Sequence, residues 1–272
     1  MDLGFSGRRA LVTGGSRGIG RAIVTTLARE GAEVIFCGRD PVQGKRLAAE
    51  LRGELLEVRF IPADMETDGG IDALAAAVGE LGGVDTLVNN VGGSANPDGA
   101  GRGFVATPSG EWTDTFYKCV VGAVRLINHL APAMVDRGFG RIINISSVGG
   151  LEPAADVPPE YAAAKAAMNT MTMSLSRALA RSGVTVNAVS PGPVLTEGFQ
   201  AWLDMLAEER GWGADPVEKE ARFLDEVLSL TVRRLGRPED IGAAVAFIAS
   251  RQADFINGSN FRVDGGLSHA AI

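Results

Sequence analysis

Short apolar runs alternate with longer amphipathic stretches from one end of the chain to the other. Seven of the runs have the length and residue types of strands: Ala10 to Thr13, Glu33 to Cys37, Val58 to Ile61, Thr86 to Asn89, Arg141 to Ile145, Thr185 to Val189 and Asn260 to Val263. Strands in alternation with helical patterns predict a parallel sheet with six or so helices over both its faces, an α/β doubly wound fold. No internal repeat or low-complexity linker interrupts the pattern, so residues 1–272 read as a single domain. The glycine-rich run VGGSANPDGAGRGF reads as a loop inside it. In sheets of this type ligands lie beyond the carboxyl ends of the strands, so the loops that follow the strands are the places to look for chemistry.

Composition narrows the function classes. A chain of 272 residues with 46% apolar residues is long enough to bury one large core. A net charge of -7 and a pI near 5, with no basic tract, argue against nucleic acid as a partner. The start, MDLGFSG, lacks a positive leader and an apolar core, and no continuous apolar stretch approaches about 18 residues. Neither a signal peptide nor a membrane partner is expected, and the expected location is cytoplasmic. Cys37 and Cys119 are expected to be free thiols, Cys119 as a small buried hydrophobe. No metal site is expected.

Two clusters carry chemistry. In RRALVTGGSRGIGRAIVTTLAREGAEVIFCGR a strand, a glycine turn, an amphipathic helix and a second strand follow one another, with Gly14, Gly18 and Gly20 in a TGxxxGxG arrangement. Glycine is needed where the backbone bends sharply and where a phosphate approaches the amides. The helix starting near Gly18 offers its unpaired amides and positive dipole end to a pyrophosphate. The second cluster is Tyr161 and Lys165 in EYAAAK, four residues apart and so on one face of a helix. A fixed ammonium beside a phenol favours the phenolate, which lets the tyrosine act as a general acid/base.

These motifs, with Asp64 after the third strand, NNVG at Asn89 to Gly92, Ser147 in ISSVGG, SPGPVLT at Ser190 to Thr196 and GRPEDIGAAVAFIAS before NGSNFRVDGG, come in one order. In that order the chain resembles the short-chain dehydrogenases/reductases, including their 3-oxoacyl-ACP-reductase-like members, from about Gly7 to Gly266. The resemblance implies a Rossmann fold and NAD(P)-dependent interconversion of a ketone and a secondary alcohol. It implies that Ser147 bonds the substrate carbonyl, Tyr161 gives it a proton, and Lys165 holds the nicotinamide ribose while acting on the phenol. It implies a cofactor site made of Gly14, Ser16, Arg17, Gly18, Ile19 and Gly20 at the turn, and of Asp64, Met65, Asn90 and Gly92 on the adenosine side. Pro191, Gly192, Val194 and Thr196 would stand by the nicotinamide. A homo-oligomer, dimer or tetramer, is also implied, packed through the helices at Glu111 to Asp136 and Tyr161 to Arg181 and through the C-terminal segment.

Cofactor choice falls to the end of the second strand. NAD enzymes usually carry an acidic residue there, whereas this chain has Gly38 followed by Arg39, which can grip a 2'-phosphate through two parallel bonds. With Arg17 as a second cation, NADP(H) is favoured over NAD(H); the alternative is that Asp40 takes the acidic role. Other readings stay open. Ser146 is adjacent to Ser147, and either hydroxyl could simply cap the strand end. Cys119 stands where most family members have asparagine, which allows a cofactor-binding scaffold or sensor with weakened chemistry. GGSRG at Gly14 to Gly18 also fits the GxSxG of a serine hydrolase, with only His129 and His269 as partners, a poor match. The segment from about residue 196 to 232, with Phe199, Trp202, Leu206, Trp212, Phe223 and Val227, reads as a helical lid whose aromatic residues either pack on the body or face a small-molecule substrate.

Overall fold

Along each strand, successive side chains enter two separate apolar layers. The computed structural model describes residues 2–96, 103–155 and 157–269, so part of the glycine-rich loop lies outside the described residues. The strands are β1 (Arg9–Val12), β2 (Glu33–Gly38), β3 (Val58–Pro62), β4 (Thr86–Asn89), β5 (Gly140–Ile145), β6 (Val184–Pro191) and β7 (Asn260–Val263). They form one parallel seven-stranded sheet in the order β3-β2-β1-β4-β5-β6-β7. Ala10, Val12, Val34 and Phe36 enter one layer, against α1 (Gly18–Arg29), α2 (Pro41–Gly53) and α9 (Pro238–Ala249). Leu11, Ile35, Leu87 and Ile142 enter the other, against α3 (Asp68–Glu80), α5 (Gly122–Asp136) and α6 (Pro159–Ala178). Burial on both faces is what makes the strands read as continuous apolar runs.

Most strand ends fall within a residue of the sequence expectation. β6 is longer, because it pairs with β5 over Val184 to Val189 and with β7 over Ala188 to Pro191. Among the described residues, six helical runs flank the sheet when α4 (Ser109–Phe116) and α5 are taken together, as they are joined by a π-helical turn at Tyr117–Val121. This run, Ser109–Asp136, has the length and mean hydropathy (1.2 over its most apolar window) of a membrane span, although charged residues interrupt its apolar stretches. It serves as a core helix: Leu126, Ile127, Leu130 and Met134 are buried, Arg125 forms ion pairs with Asp68 and Asp72 of α3, and His129 Nε2 lies 3.1 Å from Asp72 Oδ1.

Two more helices, α7 (Glu197–Glu209) and α8 (Pro216–Glu226), occupy the segment read as a lid. Their rings pack edge-on to one another, with centroids 5.2 Å (Phe199 to Trp202), 5.7 Å (Phe199 to Phe223) and 5.6 Å (Trp202 to Phe223) apart. Leu206 and Trp212 pack against the same cluster, around Leu203, Phe223 and Leu235. Val227 does not belong to this apolar face: α8 ends at Glu226, and the side chain is 39% exposed.

Candidate active site

The strand order reverses at β1, which has β2 on one side and β4 on the other, and a crevice of about 530 Å³ opens beyond the carboxyl ends of these strands. Its floor is the turn from β1 into α1. Gly14 (φ +64°) and Gly18 (φ +53°) take the left-handed backbone conformation that other residues adopt only with strain. Gly20 is required by close approach: a Cβ there would overlap the Gly14 carbonyl oxygen and lie 2.6 Å from Asn90 Nδ2. Asn90 clasps the turn, its Nδ2 donating to the carbonyl oxygens of Thr13 (2.9 Å) and Gly14 (3.2 Å). Thr13 Oγ1 in return accepts from the amides of Asn90 (2.9 Å) and Val91 (3.2 Å). Arg17 is the N-cap of α1 but makes no capping bond, and the first turn holds no acidic residue. The leading amides of α1, with Ile19 and Gly20, therefore face the crevice without side-chain partners.

The other end of the crevice is charged. Arg17 and Arg39 line it, with Gly38, Asp64 and Met65. A Cβ on Gly38 would lie 2.5 Å from Ser16 Oγ, which is buried and has no hydrogen-bond partner among the described residues. Asp40 also lines the crevice, yet its Oδ1 caps α2, accepting from the amides of Val42 (2.8 Å) and Gln43 (3.1 Å). Asp64 Oδ1 accepts from the Glu66 amide at 3.0 Å, which fixes the loop after β3. Cys37, under the turn, is fully buried, and burial pushes its thiol up to about 12, so it stays protonated and inert.

Ser147, Tyr161 and Lys165 do not themselves line this crevice; they stand beside it, on α6 and the turn after β5, with Lys165 reaching Gly92 of its wall. Ser146 and Ser147 leave β5 in opposite senses. Ser146 is buried and donates to the Lys165 carbonyl oxygen at 3.2 Å, whereas Ser147 is half-buried and accepts from the Gly149 amide at 3.1 Å. Gly150 brings this turn onto α6, since a Cβ there would lie 2.6 Å from the Lys165 carbonyl carbon. Tyr161 is half-buried in the first turn of α6, and Lys165, one turn on, is 2% exposed. The Lys165 ammonium donates to the Ile145 carbonyl oxygen at 2.6 Å and lies 5.7 Å from the centre of the Tyr161 ring. Gly92 makes room for it, as a Cβ there would come within 2.8 Å of Nζ. Cys119 is fully buried in the π-helical turn, with Sγ 3.6 Å from the Gly93 carbonyl oxygen.

The expected residues thus gather at one end of the sheet, with some differences in detail. Thr196 lines the crevice and also caps α7 through a 3.2 Å bond from the Phe199 amide. Pro191, Gly192 and Val194, expected by the nicotinamide, do not line this crevice; Gly192 abuts Asp264, and Val194 is 6% exposed. Gln43, Lys118, Glu197 and Gly198 line the crevice without having been read from the sequence. The hydrolase alternative finds no support, because His129 pairs with Asp72 and His269 with Glu152, and neither lines the crevice that holds Ser16.

A parallel sheet of this order, with a glycine cradle after β1 and a Tyr-Lys pair on the helix after β5, is the build of the short-chain dehydrogenases. Residues 8–207 match the model of the short chain dehydrogenase family, and the chain belongs to this family of oxidoreductases. It is 37% identical over 274 residues to the uncharacterized oxidoreductase YvaG of Bacillus subtilis, covering 98% of each chain. It is 35% identical over 269 residues to the 3-oxoacyl-[acyl-carrier-protein] reductase FabG of Salmonella typhimurium, covering 97% of this chain and 99% of that one. Among solved structures it is similar to L-sorbose reductase from Gluconobacter frateurii complexed with NADPH and L-sorbose, with a TM-score of 0.90, 30% identity, and coverage of 99% and 100%.

Proposed function

We propose that the protein is an NADP(H)-dependent oxidoreductase that interconverts a ketone and a secondary alcohol. The observation on which this rests is the placement of Lys165 Nζ between the Ile145 carbonyl, Gly92 and the Tyr161 ring, beside a crevice that fits a dinucleotide. The fit is physical: a glycine cradle that a Cβ would fill, a helix start with no side-chain cap, and an orphaned buried hydroxyl on Ser16. Gly14, Gly18, Ile19 and Gly20 would hold the pyrophosphate, and Arg39, Arg17 and Ser16 the 2'-phosphate. The end of β2 carries Gly38 and no acidic side chain, and the Asp40 carboxylate is engaged as a helix cap, which supports NADP(H) over NAD(H). The NADPH bound by L-sorbose reductase is consistent with that choice.

When bound, the cofactor supplies or accepts a hydride. In the reducing direction Ser147 Oγ donates a hydrogen bond to the substrate carbonyl oxygen, and Tyr161 Oη gives that oxygen its proton. Lys165, buried beside the Tyr161 ring, would hold the nicotinamide ribose and act on the phenol through its charge. The two serines test the assignment. Ser147→Ala is expected to lower kcat about thirtyfold with an unchanged Tm, as for the loss of one bond to a developing charge. Ser146→Ala should instead cost about 1 kcal/mol of stability and leave kcat within about twofold. The reverse pattern would reassign the role to Ser146.

The reading as a whole is tested by NADPH and NADH oxidation against a cyclic ketone, an aromatic ketone, a quinone, a ketose and a 3-oxoacyl thioester, with cofactor binding measured in parallel. Turnover of one substrate with NADPH preferred is the expected result. Failure to bind either dinucleotide would overturn the reading.

A further inference from the structure

We propose that Lys118 is a positioning residue for cofactor selection: by neutralising Glu66, it releases Arg39 to hold the 2'-phosphate. The inference rests on the NADP(H) reading above and adds to it a residue that no motif marks. Arg39 Nη1 lies 2.9 Å from Glu66 Oε1, so the cation at the end of β2 is already paired. The same oxygen lies 3.5 Å from Lys118 Nζ. Lys118, with its side chain 16% exposed, lines the crevice beside Arg39, Asp64 and Met65. One carboxylate is therefore shared by two cations at the place where a doubly charged phosphate must approach.

Left with Arg39 alone, Glu66 would oppose the phosphate twice. It would occupy the guanidinium fork and it would repel the dianion at short range. Lys118 answers both effects, because a carboxylate with a second partner can give up the first without being stranded. The backbone holds Lys118 there. It lies in the π-helical turn, and just beyond it Gly122 sits so close to the loop after β3 that a Cβ would lie 2.9 Å from the Met65 carbonyl oxygen. The neighbouring polar groups face Asp68 and Asp72 instead: the Tyr117 hydroxyl donates to Asp68, and Arg125 pairs with both carboxylates. Among the described residues, Lys118 is the cation of this helix that is paired with Glu66.

The test is a double-mutant cycle read in binding. NADPH and NADH are titrated by fluorescence into the wild-type protein, Lys118→Met, Glu66→Gln and the double variant, with Lys118→Gln replacing the methionine variant if that folds poorly. Lys118→Met should weaken NADPH about tenfold and NADH by less than about twofold, and in the Glu66→Gln background the same change should move NADPH by less than about twofold. A tenfold loss that persists without the Glu66 charge would overturn the proposal, because Lys118 would then act on the cofactor itself. Equal losses for both dinucleotides would overturn it as well. A wild-type protein that binds NADH as tightly as NADPH would overturn the underlying cofactor reading instead.

Discussion

Tyr161→Phe is expected to lower carbonyl reduction about a thousandfold, within the range that a positioned general acid supplies. The substitution removes one oxygen and keeps the ring, so the packing of the half-buried side chain on α6 should persist, as should the contact with Lys165. NADPH affinity is therefore expected to stay within about threefold, which places the loss in kcat and not in cofactor binding. Stopped-flow oxidation of NADPH with the best substrate of the panel, together with a fluorescence titration of the cofactor, separates the two quantities. A variant that keeps a tenth or more of the wild-type kcat would remove Tyr161 from the proton-transfer step.

Gly20→Ala is expected to weaken NADPH binding at least about a hundredfold or to prevent folding, although alanine is intrinsically the better helix former. The added methyl would overlap the Gly14 carbonyl oxygen and press on Asn90 Nδ2 at 2.6 Å, so the obstacle is backbone that cannot rotate aside. To relieve it, the turn must open and the Asn90 clasp on Thr13 and Gly14 must break. Overpacking of this kind costs about 1–3 kcal/mol in the fold, and the cradle loses its shape at the same time. Gly79→Ala on α3 is the control: nothing lies within 4 Å of its added Cβ, and it should bind NADPH as the wild type does with an equal or higher Tm. Wild-type affinity in Gly20→Ala would show that the turn is softer than its contacts imply.

Most of the architecture can be read along the chain because the five inner strands are buried on both faces, whereas the edge strands β3 and β7 are only partly covered, and because Gly14 and Gly18 of the β1 turn meet a local backbone demand. Gly14, Gly18, Tyr161 and Lys165 are visible for the same reason: their spacing alone fixes how they lie. What escapes sequence reasoning depends on distant packing. Ser146 and Ser147 look alike until α6 supplies the Lys165 carbonyl that engages one of them. Asp40 looks like a ribose ligand until the start of α2 places two amides on its carboxylate. Lys118 is hidden by the π-helical turn, whose additional residue shifts the helical phase, so a period of 3.6 cannot say which way its side chain faces. The α4–α5 run reads as helix over nearly its whole length, but its span-like mean hydropathy does not show in unbroken apolar stretches, because Glu111, Asp114, Lys118 and Arg125 break up the pattern.

The contact between Gly38 and Ser16 also bears on how such a protein can change over generations. A side chain at 38 would bring its Cβ 2.5 Å from Ser16 Oγ while Ser16 Cβ stays 3.5 Å away, so the obstacle is a single hydroxyl that can turn about χ1. Loss of that hydroxyl, as in Ser16→Ala, would clear the space without disturbing the backbone of the turn. Change at 38 is thus coupled to change at 16, and the two positions are expected to drift as a pair.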